Sequence, residues 1–167
     1  AIMGALTNIA VDLSPNKLEA AMTFGATHAL NATRPDVVDE IKTLTAGRGA
    51  DYVFVATGSG AAMAVAPLLV RRGGTVVLVG MAPSGLKVEY EPLDIANDSI
   101  RLIGSKMGGA RLQTDIPTLL AHYRSGRLKL DELVSGCYPL EDINKAIDSV
   151  KRGEALRNVI MFSGESA

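Results

Sequence analysis

Residues 8–25 read NIAVDLSPNKLEAAMTFG. An apolar, β-prone run, Asn8-Ile9-Ala10-Val11, closes on the acid Asp12, and a helical stretch follows at 15–24. Ser14 stands at the N-cap position, Pro15 at the first helical position and Gly25 at the stop. A strand that ends on a carboxylate and feeds a helix fits one part of a dinucleotide-binding βαβ unit. There the acid accepts the ribose 2′-hydroxyl of NAD, roughly 20 residues beyond a G-x-G-x-x-G turn that seats the pyrophosphate. Asp12 is only the twelfth residue, so that turn is expected to precede residue 1, which is Ala1 and not methionine. The expectation is the later part of a nucleotide-binding protein.

Outward from this stretch, short β-prone runs alternate with helices, the pattern of a parallel sheet covered by helices. Strands are expected at 8–12, 28–30, 51–56, 75–80, 101–104 and 157–162, and helices at 15–24, 35–45, 61–71, 116–123 and 141–151. The helix at 35–45 carries Val37, Val38, Ile41 and Leu44 at helical spacing. The strand at 51–56 (DYVFVA) is almost continuously apolar, which predicts burial on both faces. Residues 82–98 hold two prolines and several acids and read as a surface excursion; Tyr138-Pro139 reads as a turn.

Composition excludes several classes. At 167 residues, 47% apolar, the chain can bury a core. Eighteen acids against seventeen bases, net charge −1, give no reason to expect a nucleic-acid or membrane-surface partner. No apolar run approaches the roughly 18 residues of a membrane span. The single Cys137 rules out an internal disulfide framework and suits a reducing cytoplasm. His28 and His122 have no cysteine or carboxylate at ligand spacing, Cys137 has no cationic neighbour in sequence, and no catalytic constellation is visible. Gly58-x-Gly60-x-x-Met63 imitates a phosphate loop, but its third position is methionine, so it reads as a tight turn.

Four segments together resemble the zinc-type alcohol dehydrogenases of the medium-chain dehydrogenase/reductase family. They are AVDLSPNKLEAAMTFGATHALN (10–31), GADYVFVATGSG (49–60), RRGGTVVLVGMAP (71–83) and GRLKLDELVSGCYPLEDINKAIDSVKRGEALRNVIMF (126–162). The last discriminates best, because generic Rossmann domains lack it. The resemblance implies a doubly wound, Rossmann-type α/β fold without its first strand and glycine-rich turn, with AIMGALT (1–7) as the end of the first helix and the turn after it. It implies a truncated cofactor domain at 1–137, and a helix and strand at 138–167 that return to a catalytic domain carrying the zinc and the proton relay.

For individual residues the resemblance implies cofactor contacts only. Asp12 and Leu13 meet the adenosine ribose and Lys17 reaches it; Asp12 also repels the 2′-phosphate of NADP. Ala56, Thr57, Val79, Gly80 and Met81 end two strands where adenine and nicotinamide lie, and Ser105, Lys106 and Met107 meet the carboxamide through backbone groups. Arg157 forks onto the pyrophosphate. The implied cofactors are NAD and, on the catalytic domain, zinc. The substrate is an alcohol or aldehyde, and a homodimer or larger assembly forms through the strand at 100–104. Each residue also has a plain structural reading: an exposed helix lysine, a solvated acid before a helix, ordinary strand-to-helix packing. Rival functions are a zinc-free quinone or enoyl reductase, which Asp12 disfavours, an AdoMet-dependent methyltransferase, which leaves 126–162 unexplained, and a non-catalytic nucleotide-binding or interaction module.

Overall fold

A computed structural model of the chain describes residues 2–162. The order is β1 (Ile9–Asp12), α1 (Pro15–Thr23), β2 (His28–Asn31), α2 (Val37–Leu44), β3 (Ala50–Val55), α3 (Gly60–Leu69), β4 (Val70–Leu78), α4 (Pro92–Asn97), β5 (Arg101–Gly104), α5 (Leu112–Arg124), β6 (Val134–Pro139), α6 (Ile143–Lys151) and β7 (Arg157–Met161). All pairing is parallel: β1 with β2, β3 with β4 with β5, and β6 with β7. The expected Rossmann-type α/β class is what the chain forms. Two compact units result, one of residues 1–32 and 112–167, the other of residues 33–111.

In the first unit, β1 and β2 run in register from Ile9↔His28 to Asp12↔Asn31, with α1 as their crossover. Lys129 Nζ donates to the Thr23 carbonyl at 3.0 Å, satisfying one of the orphan carbonyls where α1 ends. Asn158 of β7 donates to Ala146 O at 2.8 Å and Ser149 Oγ at 2.6 Å, tying that strand to α6. Residues 2–7, expected as the end of a helix and the turn after it, hold a turn at 2–3 with Gly4 at φ +78°. Tyr138-Pro139, expected as a turn, closes β6 opposite Ile160 and Met161. Proline is tolerated there because it ends a strand whose sheet has only two members, so no central ladder needs its missing N–H.

In the second unit the core is Val55, Met63, Ala66, Val70 and Val76, with α3 laid on the sheet. Val76, at the sheet centre, is fully buried, a placement that stabilises by about 1.5–3 kcal/mol. β3 is buried on one face only, contrary to expectation. Tyr52 and Phe54 stack with centroids 6.2 Å apart and are 60% and 66% exposed among the described residues, whereas Val53 and Val55 face the core. An apolar run cannot report by itself which of its faces is covered. β4 begins at Val70, five residues earlier than expected. β3 advances from Ala50 to Tyr52 while β4 advances from Val70 to Thr75, so the ladder bulges around Gly73, which sits at φ +67°. The surface excursion at 82–98 includes α4, and α5 starts before Pro117, not beside it.

Pro67 lies inside α3 and is buried. Its ring nitrogen cannot donate to the carbonyl four residues back, that of Met63. Tyr90 Oη donates to that carbonyl instead, at 3.2 Å. Tyr90→Phe is expected to destabilise by about 1–3 kcal/mol by orphaning a buried acceptor. In a Pro67→Ala background, where an amide N–H returns, the loss should shrink, and denaturant melts of the four proteins in the cycle check the coupling.

Arg71 Nε meets Asp51 Oδ1 at 2.5 Å, joining the starts of β3 and β4. The guanidinium bond holds the Asp51 carboxyl below its ordinary value. Folding therefore releases a proton from this group, so its contribution is full above the unfolded carboxylate range and is lost as pH falls through it. Exposure keeps that contribution small. An NMR titration should find the Asp51 carboxyl returning to the ordinary range in Arg71→Met.

Candidate functional site

Most of the residues singled out in the sequence fall at or just past the carboxyl ends of parallel strands, where ligands of such sheets bind, while Lys17 lies in α1 and Arg157 at the amino end of β7. Each compact unit supplies its own set.

In the second unit the turns after β3, β4 and β5 are knitted by backbone bonds. The Val55 carbonyl accepts both the Val79 N–H, at 3.0 Å, and the Gly80 N–H, at 2.8 Å. The Leu78 carbonyl accepts the Ser105 N–H at 2.9 Å. These bonds bring Ala56, Thr57, Val79, Gly80, Met81 and Ser105 to one edge, with Lys106 and Met107 following. Gly80 packs so closely that a Cβ there would overlap the Thr57 backbone, and one on Gly58 would lie 2.6 Å from the Met81 carbonyl oxygen. The edge is therefore a flat backbone surface bordered by open side chains: Met81 is 85% exposed and Met107 80%. Met107 sits at φ +52° and is followed by Gly108 and Gly109 at φ +68° and +64°, an uncommon left-handed run. Such a surface suits the close approach of a planar ring.

The Gly58–Gly60 turn is a capped helix start. Thr57 Oγ1 accepts the Ser59 N–H at 3.3 Å, and Ser59 Oγ accepts the Ala62 N–H at 3.4 Å. Those polar groups are spent on the helix itself.

In the first unit Asp12 closes β1. Its Oδ1 accepts the Ser14 N–H at 2.9 Å, and its carbonyl accepts the Ala32 N–H at 3.0 Å. Ser14 holds the N-cap position of α1, but its side chain makes no cap bond; its own N–H goes back to the Asp12 carboxylate in an Asx-turn that leads into the helix. Leu13 projects outward, 67% exposed. Lys17, in the first turn of α1, carries its Nζ toward Gly153 in the turn after α6. Arg157 opens β7, paired opposite Val134, and is exposed. It stands on a different sheet from Asp12. Asn31, across the ladder from Asp12, donates from Nδ2 to the Leu13 carbonyl at 3.4 Å. Sequence reasoning passed over Asn31; the signal available was a short amide side chain ending the strand beside β1.

Cys137 is exposed on β6. Among the described residues no group of three His, Cys, Asp or Glu side chains stands close enough to hold a metal ion, and no helix is long and apolar enough to cross a membrane.

Comparison with known proteins decides the family. Residues 1–125 match the family described as zinc-binding dehydrogenase. The chain belongs to the zinc-binding dehydrogenases. It is 34% identical over 168 residues to an S-(hydroxymethyl)glutathione dehydrogenase of Paracoccus denitrificans, covering 96% of this chain and 44% of that protein. The benzyl alcohol dehydrogenase of Acinetobacter calcoaceticus superposes with a TM-score of 0.91 at 29% identity, over 97% of this chain and 44% of that one. A Sinorhizobium meliloti protein whose structure has NADP bound superposes with a TM-score of 0.80 at 28% identity, over 96% and 46%. The chain thus spans less than half the length of the zinc-binding dehydrogenases it matches.

Gly80→Ala is expected to cost about 3 kcal/mol or more, because the added methyl must displace the Thr57 backbone. Gly104→Ala, where a Cβ would meet nothing within 4 Å, should stay within about 0.5 kcal/mol. Thermal melts, with amide spectra of residues 56–58 and 79–81, distinguish the two.

Proposed function

We propose that this chain is the cofactor-binding part of an NAD-dependent alcohol dehydrogenase in which zinc assists on a separate catalytic domain. One observation carries the reading: the Asp12 carboxylate at the carboxyl end of β1, with Oδ1 engaged by the Ser14 N–H and Oδ2 left for a hydroxyl donor. A diol offers the O–H donors a carboxylate accepts, whereas a 2′-phosphate would bring like charge against it. The residues present suit NAD. Lys17 adds a cation beside the ribose, and Arg157 supplies a planar fork for phosphate oxygens. The backbone edge at Thr57 and Gly80 admits a flat ring, and the backbone at Ser105, Lys106 and Met107 offers the carboxamide its hydrogen bonds. When bound, the nicotinamide supplies the hydride acceptor for oxidation of an alcohol to an aldehyde, or the donor in reverse. The described residues do not suit zinc, so no step here is drawn through the metal.

In this reading residues 138–167 return to the catalytic domain, with 163–167 outside the described structure. Among the described residues no strand pairs with the outer edge of β5, and Ile103 on it is 47% exposed. A second copy pairing along residues 100–104 would satisfy that edge. The enzyme would work in the cytoplasm, where Cys137 stays reduced.

Two measurements test this. Amide-shift titration of the 167-residue chain with NAD should move Asp12 to Lys17, 79–81 and 105–107, with half-saturation on the order of millimolar. Weak binding is expected because these residues include no G-x-G-x-x-G turn. A micromolar constant would overturn the weak-binding expectation; silence at those residues would overturn the site. Sedimentation should give a dimer, and a monomer at high concentration counts against β5 pairing.

A further inference from the structure

We infer that Asn31 is a positioning residue for the cofactor's adenosine ribose, fixing the turn from which Asp12 presents its carboxylate. This rests on the reading of Asp12 as the ribose acid. The turn 12–14 is held from three directions. Its own carboxylate takes the Ser14 N–H at 2.9 Å, the backbone of β2 supplies the Ala32 N–H to the Asp12 carbonyl at 3.0 Å, and the Asn31 amide holds the Leu13 carbonyl at 3.4 Å.

The parallel register Asp12↔Asn31 makes this third bond possible, because it brings the last residue of β2 level with the last residue of β1. The first two bonds fix Asp12 at its carbonyl and at Oδ1. The Ser14 N–H ties the Leu13–Ser14 peptide to Asp12 at one end only, and rotation of that peptide would swing the N–H and with it the carboxylate. The Asn31 bond holds the same peptide at its other end, the Leu13 carbonyl. Leu13 is 67% exposed, so water can replace the amide at its carbonyl without an orphaned buried group. Losing this bond therefore leaves no buried group unpaired at the Leu13 carbonyl and loosens the aim of Asp12. Asparagine is suited to the place where aspartate is not: it has the same shape but carries the donor N–H, and it adds no second negative charge beside Asp12.

Discrimination between a free 2′-hydroxyl and a 2′-phosphate needs the carboxylate held at one place. A mobile Asp12 gives weaker bonds to the diol and can swing away from a phosphate. The ratio of the two affinities should therefore fall, which a general loosening, weakening both ligands alike, would not produce.

The test uses the 167-residue chain and its Asn31→Ala and Asn31→Asp variants, titrated with ADP-ribose and with its 2′-phosphate while amide shifts at 12–17 are followed. The wild-type chain should prefer ADP-ribose by roughly tenfold, both variants should fall to about threefold or less, and their melting temperatures should stay near wild type. An unchanged ratio in the variants, with the wild-type chain binding, overturns the positioning role alone. No shift at 12–17 in the wild-type chain overturns the reading of Asp12, and this inference with it.

Discussion

One carbonyl, that of Val55, accepts the N–H groups of both Val79 and Gly80, and the candidate edge of the second unit depends on it. The double acceptance draws the turn after β4 across the end of β3 until backbone meets backbone. Only a residue without a Cβ can complete the approach, since a side chain at position 80 would occupy the space of Thr57. From this contact follows the flatness of the edge. The peptides of Thr57–Gly58 and Gly80–Met81 lie directly against each other, with the Met81 side chain exposed.

Parallel pairing supplies the frame for that contact. Each crossover returns the chain to the same end of the sheet, so the strand termini β3, β4 and β5 end side by side. The same geometry in the first unit levels Asp12 with Asn31. In the second unit the buried core lies at mid-strand and in α3, whereas the candidate residues lie just past the strand ends.

Where local rules are broken, a distant side chain compensates. Pro67 removes a donor from the middle of α3, and Tyr90, twenty-seven residues from Met63, restores it. Thr23 ends α1 without a basic residue in the helix's last turn, and Lys129 arrives from another part of the same unit. Each is a hydrogen-bond account that closes only once the chain has folded.

The sequence by itself determined the class and most of the elements, because hydrophobic period, helix caps and glycine stops act over a few residues. The strand into Asp12, the helix opened by Pro15 and the strands near 51 and 75 were all legible there, and so was the family, from segments spread along the chain. Tertiary structure alone decided the rest. Tyr138-Pro139 is strand because β7 lies beside it, and β4 begins at Val70 because Ala50 is there to pair. Tyr52 and Phe54 stay open although their run reads as buried, since burial depends on what lies opposite a face and not on the run itself. Asn31 and the Thr57–Gly80 contact were invisible for the same physical reason. They exist only between residues that parallel pairing brings together across many positions of chain.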